Sequence, residues 1–173
     1  MSVIPSPEYF SHVYTYVKWA DLQQLDSTKP LSDEEYFKDR GWSFGNIHKL
    51  LLHCISAQNV WLDRFEGRKP VWIFDDPRYA RREALESMLH QTHEKMSAFL
   101  ETQTPQSLAA VLTYPNLKGE VFSVPLWQLI VHVCNHSMHH RGQVNSMIKL
   151  AGGSPPQVDY SAWVTLHGGK VKT

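Results

Sequence analysis

The chain has 173 residues, 42% hydrophobic and 20% charged, which suits one globular domain with a sizeable core. Its 17 basic residues balance 17 acidic ones, so no strong field marks it as a binder of nucleic acid or of an anionic membrane. No apolar run reaches the length of a bilayer span, and the opening MSVIPSPEYF lacks the pattern of a secretory signal, so a cytoplasmic location is the expectation.

The first helix is predicted from Pro7 to Leu25. Ser6 caps it, Pro7 suits the first helical position, and Phe10, Val13, Tyr14 and Val17 recur at helical spacing. A long connection follows, with a short helical turn at Asp33–Lys38. The second helix is predicted from Ser43, as N-cap, to Glu66, with Gly67 as its stop. Its apolar stripe is Ile47, Leu50, Leu51, Cys54, Trp61 and Phe65. The third runs from Pro77 to Glu101, capped by Asp76, with Leu85, Met88, Leu89, Met96 and Phe99 inward. Its early turn, Arg78 to Glu83, is basic and expected to face solvent. Between Leu108 and Val124 two β-prone stretches flank PNLKG, which reads as a short hairpin or an extended loop. The fourth helix runs from Pro125 to Leu150 and stops at Gly152-Gly153. A last short turn covers Asp159 to Trp163, and residues 164–173 read as a loose tail.

Four amphipathic helices with little strand predict an all-α, antiparallel four-helix bundle in one domain spanning residues 1–173. The long connection after the first helix allows a crossover. Cys54 and Cys134 read as reduced thiols acting as small apolar residues. Trp42, Trp61 and Trp127 read as packing residues.

Histidine is the unusual component. There are ten, and His132, His136, His139 and His140 fall within nine residues. His136 and His140 are one helical turn apart and share a face. Leu129, Val133, Val144, Met147 and Ile148 define the core side of this helix. His140 lies within that stripe and His136 at its border, whereas His132 and His139 turn towards solvent. Two imidazoles on one helix form a natural chelate for zinc, nickel, copper or iron, with a third ligand needed from elsewhere. Cys134 lies on the wrong side of the stripe to provide it. His53 and His48 flank the stripe of the second helix on opposite sides, and helical phase does not choose between them. The competing account is a polar layer of histidines satisfied by hydrogen bonds.

The segment HVCNHSMHHRGQV, His132 to Val144, resembles the signature of the DinB/YfiT-like superfamily, which ends in His-Arg-Gly-Gln, here His140 to Gln143. SFGNIHKLLLHCISAQNVWLDRF resembles the family's second-helix segment, with His53 eight residues before Trp61. YVKWADLQQLD and LSDEEYFKDRGWSFG extend the resemblance over nearly the whole chain. The resemblance implies a four-helix bundle with an unusual crossover, a homodimer, and a metal held by His53, His136 and His140. Zinc or nickel is the implied ion, with manganese or iron also admissible. It further implies a metal-dependent enzyme that uses a small-molecule thiol, such as bacillithiol or mycothiol, for S-transfer to an electrophilic substrate. Metal-assisted hydrolysis, with hydroxide as nucleophile, and a stress-related metal-binding protein without turnover are the alternatives. Gln143, His139 and His132 are the candidate catalytic neighbours. Neither nucleic acid nor membrane is an expected partner.

Overall fold

The long helices form where the apolar periodicity is longest, and their ends sit at the expected punctuation. The computed structural model describes residues 5–74, 76–116 and 118–168. Helix α1 is Pro7–Thr28, with the Ser6 side chain accepting from the Tyr9 amide at 3.3 Å. It runs one turn beyond Leu25, the expected end. A short helix, α2 (Asp33–Phe37), follows. Helix α3 is Ile47–Phe65, and Gly67 ends it at a positive φ of 70°. Helix α4 is Arg82–Glu101, preceded by a 3₁₀ turn at Pro77–Tyr79 that Asp76 caps. Then come α5 (Pro105–Ala109), the antiparallel pair β1 (Val111–Pro115) and β2 (Val121–Pro125), and α6 (Leu126–Leu150). The chain closes with α7 (Tyr160–His167). Among the described residues no helix is long and apolar enough to cross a membrane.

Several boundaries differ from expectation for identifiable reasons. Asn46, not Ser43, caps α3: its side chain accepts from the Lys49 amide at 2.8 Å, while Ser43 sits in the preceding loop at a φ of 54°. Both residue types cap helices, so composition did not separate them. Helix α5 was not expected; a Thr104–Ser107 capping box and Pro105 start it within five residues. Arg82 is not solvated as its basic surroundings suggested. Its guanidinium donates to the Leu31 carbonyl and to Asp33, both at 2.9 Å, and lies 4.1 Å over the Tyr36 ring. The expected loose tail is helical to His167, whose ring stacks on Trp163; residues 169–173 of that expectation lie outside the described residues. Trp61 and Trp127 are half-buried, but Trp42 is exposed in a loop.

Helix α6 packs against α1 on one side and α3 on the other, and α4 closes the ring between them. Pairings along the helices fix their directions. Gln24 on α1 meets Asn145 on α6, and both helices begin in the core that holds Phe10 and Leu126, so α1 and α6 are parallel. Asn59 meets Thr92 and Phe65 stacks on Phe99, so α3 and α4 are parallel. Trp61 meets His132 while His53 meets His140, so α3 and α6 are antiparallel. The order is therefore up, down, down, up, a four-helix bundle with the crossover connection expected after the first helix. The connection after α1 crosses the bundle end diagonally, and residues 66–81 make the lengthwise return that two consecutive parallel helices require.

The apolar core falls into two clusters. One gathers around Phe10, Tyr14, Met96, Leu100 and Ile130, and the other around Leu50, Leu85, Val144, Met147 and Ile148. Truncating one such fully buried leucine costs about 2–5 kcal/mol. A polar group lies inside the bundle with them. Asp21 accepts from Arg141 at 3.2 Å, His93 at 3.3 Å and Gln58 at 3.1 Å. The Gln58 oxygen accepts from Tyr14 at 2.7 Å, and Arg141 also donates to the Tyr16 hydroxyl at 3.0 Å. Burial acts to raise the Asp21 carboxyl, but His93, Arg141 and Gln58 together hold it below its ordinary range.

Candidate metal centre

The antiparallel contact of α3 and α6 brings His53 opposite His136 and His140. The one-turn spacing on α6 puts its two rings 4.4 Å apart, and His53 enters from α3 at 5.0 and 4.6 Å between ring centres. The Nε2 atom of His53 lies 3.2 Å from that of His136 and 3.1 Å from that of His140. One ligand atom from each residue falls within 4.8 Å of the others. His140 is buried and the other two are half-buried.

Hydrogen bonding among the three rings alone is a poor solution. The Nδ1–H of His140 donates to the Gln143 side-chain oxygen at 2.7 Å, which leaves its Nε2 as a lone pair. Protonated, Nε2 of His53 can point its hydrogen at only one of its two close neighbours; unprotonated, it sets its lone pair against that of His140. Nδ1 of His53 is buried without a partner among the described residues. Four-coordinate zinc, with Zn–N near 2.0–2.1 Å, separates its nitrogens by about 3.3 Å. The observed spacing therefore fits a shared cation better than a hydrogen-bonded trio.

The protonation states agree. Burial, followed by the neighbouring His140, lowers His53 to about 4. Burial and the surrounding imidazoles lower His136 to about 3, and burial lowers His140 as well. All three are neutral at pH 7, the form that ligates metals.

Two loops wall the cluster. Phe44, from the connection before α3, stacks on His53 at 4.0 Å, and Phe74, from the lengthwise return, stacks on it at 5.5 Å. Trp72 stacks in turn on Phe74 at 5.3 Å. Sequence reasoning missed these aromatics, because they lie in loops without periodicity. His48, the other α3 candidate, is remote: it is buried, bonds the Tyr79 carbonyl at 2.7 Å and packs against Tyr36 and Phe37. Cys134 is buried in the lower core, away from the cluster.

Gln143 sits behind His140 rather than before an open face, and its oxygen also accepts from the Ser43 hydroxyl at 3.2 Å. His139 is exposed and approaches the Gln143 amide nitrogen at 3.4 Å. His132 is exposed too, edge-on to Trp61 at 5.1 Å and 5.8 Å from the His136 ring.

The DinB family model matches residues 1–167. The chain belongs to the DinB family. It is similar to Protein DinB of Bacillus subtilis strain 168, with 24% identity over 159 residues, 88% of this chain and 91% of the relative. Among solved structures it is similar to a DinB-like protein from Bacillus cereus ATCC 10987, with a TM-score of 0.72, 20% identity and coverage of 91% and 100% of the two chains. It is also similar to YfiT from Bacillus subtilis, described as a probable metal-dependent hydrolase with an unusual four-helix bundle topology. That likeness has a TM-score of 0.67, 15% identity and coverage of 89% and 94%. At these identities the two structures bear on the fold, and the up, down, down, up order accords with them.

Proposed function

We propose that His53, His136 and His140 hold a divalent metal ion, zinc or nickel first and manganese or iron as lesser candidates. We further propose that the protein activates a low-molecular-weight thiol for S-transfer to an electrophile. The observation that carries this reading is the convergence of three neutral imidazoles from two helices on one point. Three protein ligands leave a coordination position free, the pattern of a catalytic rather than a structural ion. A divalent ion there supplies Lewis acidity, which ionises a thiol or a water near neutral pH.

The chain's own residues favour the thiol. The charged groups that act on the three histidines are other imidazoles, and among the described residues no carboxylate joins the cluster as a general base. An ionised thiol needs no further base, and its proton can leave through His139 or His132 to solvent. Gln143 holds the ring of His140 in orientation. Phe44 and Phe74 screen water from one side of His53 and offer an apolar surface to the electrophile. The hydrolytic alternative is supported by the likeness to YfiT, and there His132 or His139 would take the proton of water. A homodimer belongs to the same proposal, and sedimentation at micromolar concentration measures it.

Elemental analysis of protein purified without a nickel column is expected to find one metal per chain, and His53→Ala to lose it. The metal-loaded protein is then mixed with monochlorobimane and a panel of thiols. Acceleration over free metal by one class of thiol supports S-transfer. Turnover of an ester without thiol points to hydrolysis. Stoichiometric metal with neither activity leaves a metal-binding protein without turnover.

A further inference from the structure

A charged group faces the same side of α3 as the histidine cluster. Arg64 follows His53 by eleven residues, three helical turns, so it returns to within about 20° of the same face. Its guanidinium does not extend into solvent. It lies 4.6 Å over the Trp61 ring and 5.1 Å from the Tyr114 ring of β1, and donates to the Pro115 carbonyl at 3.3 Å. The nearby carboxylates are otherwise engaged: Asp63 and Glu66 both pair with Arg68. Among the described residues Arg40, Arg68, Arg78, Arg81, Arg82 and Arg141 each have an Asp or Glu within 4.0 Å, and Arg64 has none. A half-buried cation held against two aromatic rings, without a counterion, is a preformed receptor for an anion.

The receptor is connected to the histidines. Trp61 carries Arg64 on one side and meets His132 edge-on at 5.1 Å, and His132 lies 5.8 Å from His136. Tyr114 closes on Trp61 at 5.0 Å, so the hairpin completes the shelf. Trp61 is eight residues beyond His53 and Arg64 eleven, which sets the guanidinium about 12–16 Å along the helix from the cluster.

We propose that Arg64, held by Trp61 and Tyr114, binds an anionic group, carboxylate or phosphate, at the far end of an elongated substrate whose reacting end lies at the three histidines. The reacting end rests on the metal-centred reading above; the anion site does not. Arg64 is thus a specificity residue and the hairpin a part of the binding site.

Two measurements test the two ends separately. In the first, metal-free ¹⁵N-labelled protein is titrated with octanoate, octylphosphonate and octanol, and the Arg64 Nε–H resonance is followed. Saturable shifts with either anion and none with octanol are expected; the stronger anion identifies the headgroup. Equal response to octanol, or no response to either anion, overturns the anion site whatever the metal does. In the second, cobalt-loaded protein is titrated with 8-mercaptooctanoate, 8-mercaptooctylphosphonate, 8-mercaptooctanol and 2-mercaptoethanol, read by the cobalt spectrum. An anionic probe is expected to bind at least about tenfold tighter than the alcohol, in line with a charge-assisted bond. Arg64→Gln is expected to erase that preference and leave 2-mercaptoethanol unchanged, and Arg64→Lys to retain part of it. A preference that survives in Arg64→Gln overturns the proposal. Failure of all four thiols to alter the cobalt spectrum removes the metal–thiol reading but leaves the first measurement decisive for Arg64.

Discussion

His140 and Arg141 are adjacent on α6, yet they serve polar clusters of opposite kinds. Arg141 points into the bundle, where it donates to Asp21 and to the Tyr16 hydroxyl, and Gln58 and His93 donate to the same carboxylate; Arg141 Nε and His93 Nδ1 have no partner among the described residues. That cluster neutralises its own charges within the chain. His140 points towards α3, where three imidazole nitrogens present lone pairs to one another within 3.2 Å along both His53 contacts. That cluster leaves its lone pairs unmatched within the chain. A buried carboxylate met by an opposite charge and several donors is a structural device, and lone pairs that converge on one point suggest a ligand.

Substitutions are expected to separate the two. The largest effect belongs to the histidines: His136→Ala or His53→Ala should reduce metal content from one equivalent to background by elemental analysis, with the fold intact by circular dichroism. Asp21→Ala should do the reverse. It strands Arg141 and His93 in the interior, at a cost of about 3–5 kcal/mol in denaturant unfolding, and protein still folded should retain its metal. If Asp21→Ala lost metal while folded, the two clusters would not be independent. Gln143→Ala frees the ring of His140 and should weaken metal binding by about 10–100-fold in a chelator competition. The response to acid should differ as well. His53 and His136 are lowered from 6.5 to about 4 and about 3, so between those values the unfolded chain binds more protons than the folded one. The melting temperature of metal-free protein should therefore fall as pH drops from about 6.5 towards 4. Asp21 is lowered from 3.8, so its contribution is present above that value and is lost only below it. His139→Ala is the smallest perturbation. Metal content should not change, and any effect should appear only in turnover.

Much of this architecture was legible because helices write their buried face into sequence. The inward pair His136 and His140 emerged from phase alone, since Leu129, Val133 and Val144 fix the core side of α6. Phase could not choose between His53 and His48, because each sits on one flank of the same stripe. The choice depends on which helix lies against each flank: α6 against His53, and the α2 region with Tyr79 against His48. Family resemblance implied what periodicity left open. The order of helices was harder to read. Parallel neighbours need a lengthwise return, and the one apolar run in residues 66–81, Val71 to Phe74, is too short to carry a periodicity that would announce one. Phe44 and Phe74 escaped for the same reason: a loop residue gains its role from where the chain passes, and spacing does not encode that path.

The lengthwise return has a further consequence. The histidines sit on helices whose other faces are locked in the core, but Phe74 and Trp72 belong to a connection that reaches the apolar clusters only through Ile73 and Tyr79. Exposed residues such as Val71 and Trp72 can be exchanged, and the loop lengthened, at little cost in stability. The fold thus divides its inheritance. The three imidazoles can stay unchanged while one of the two segments beside them is rewritten.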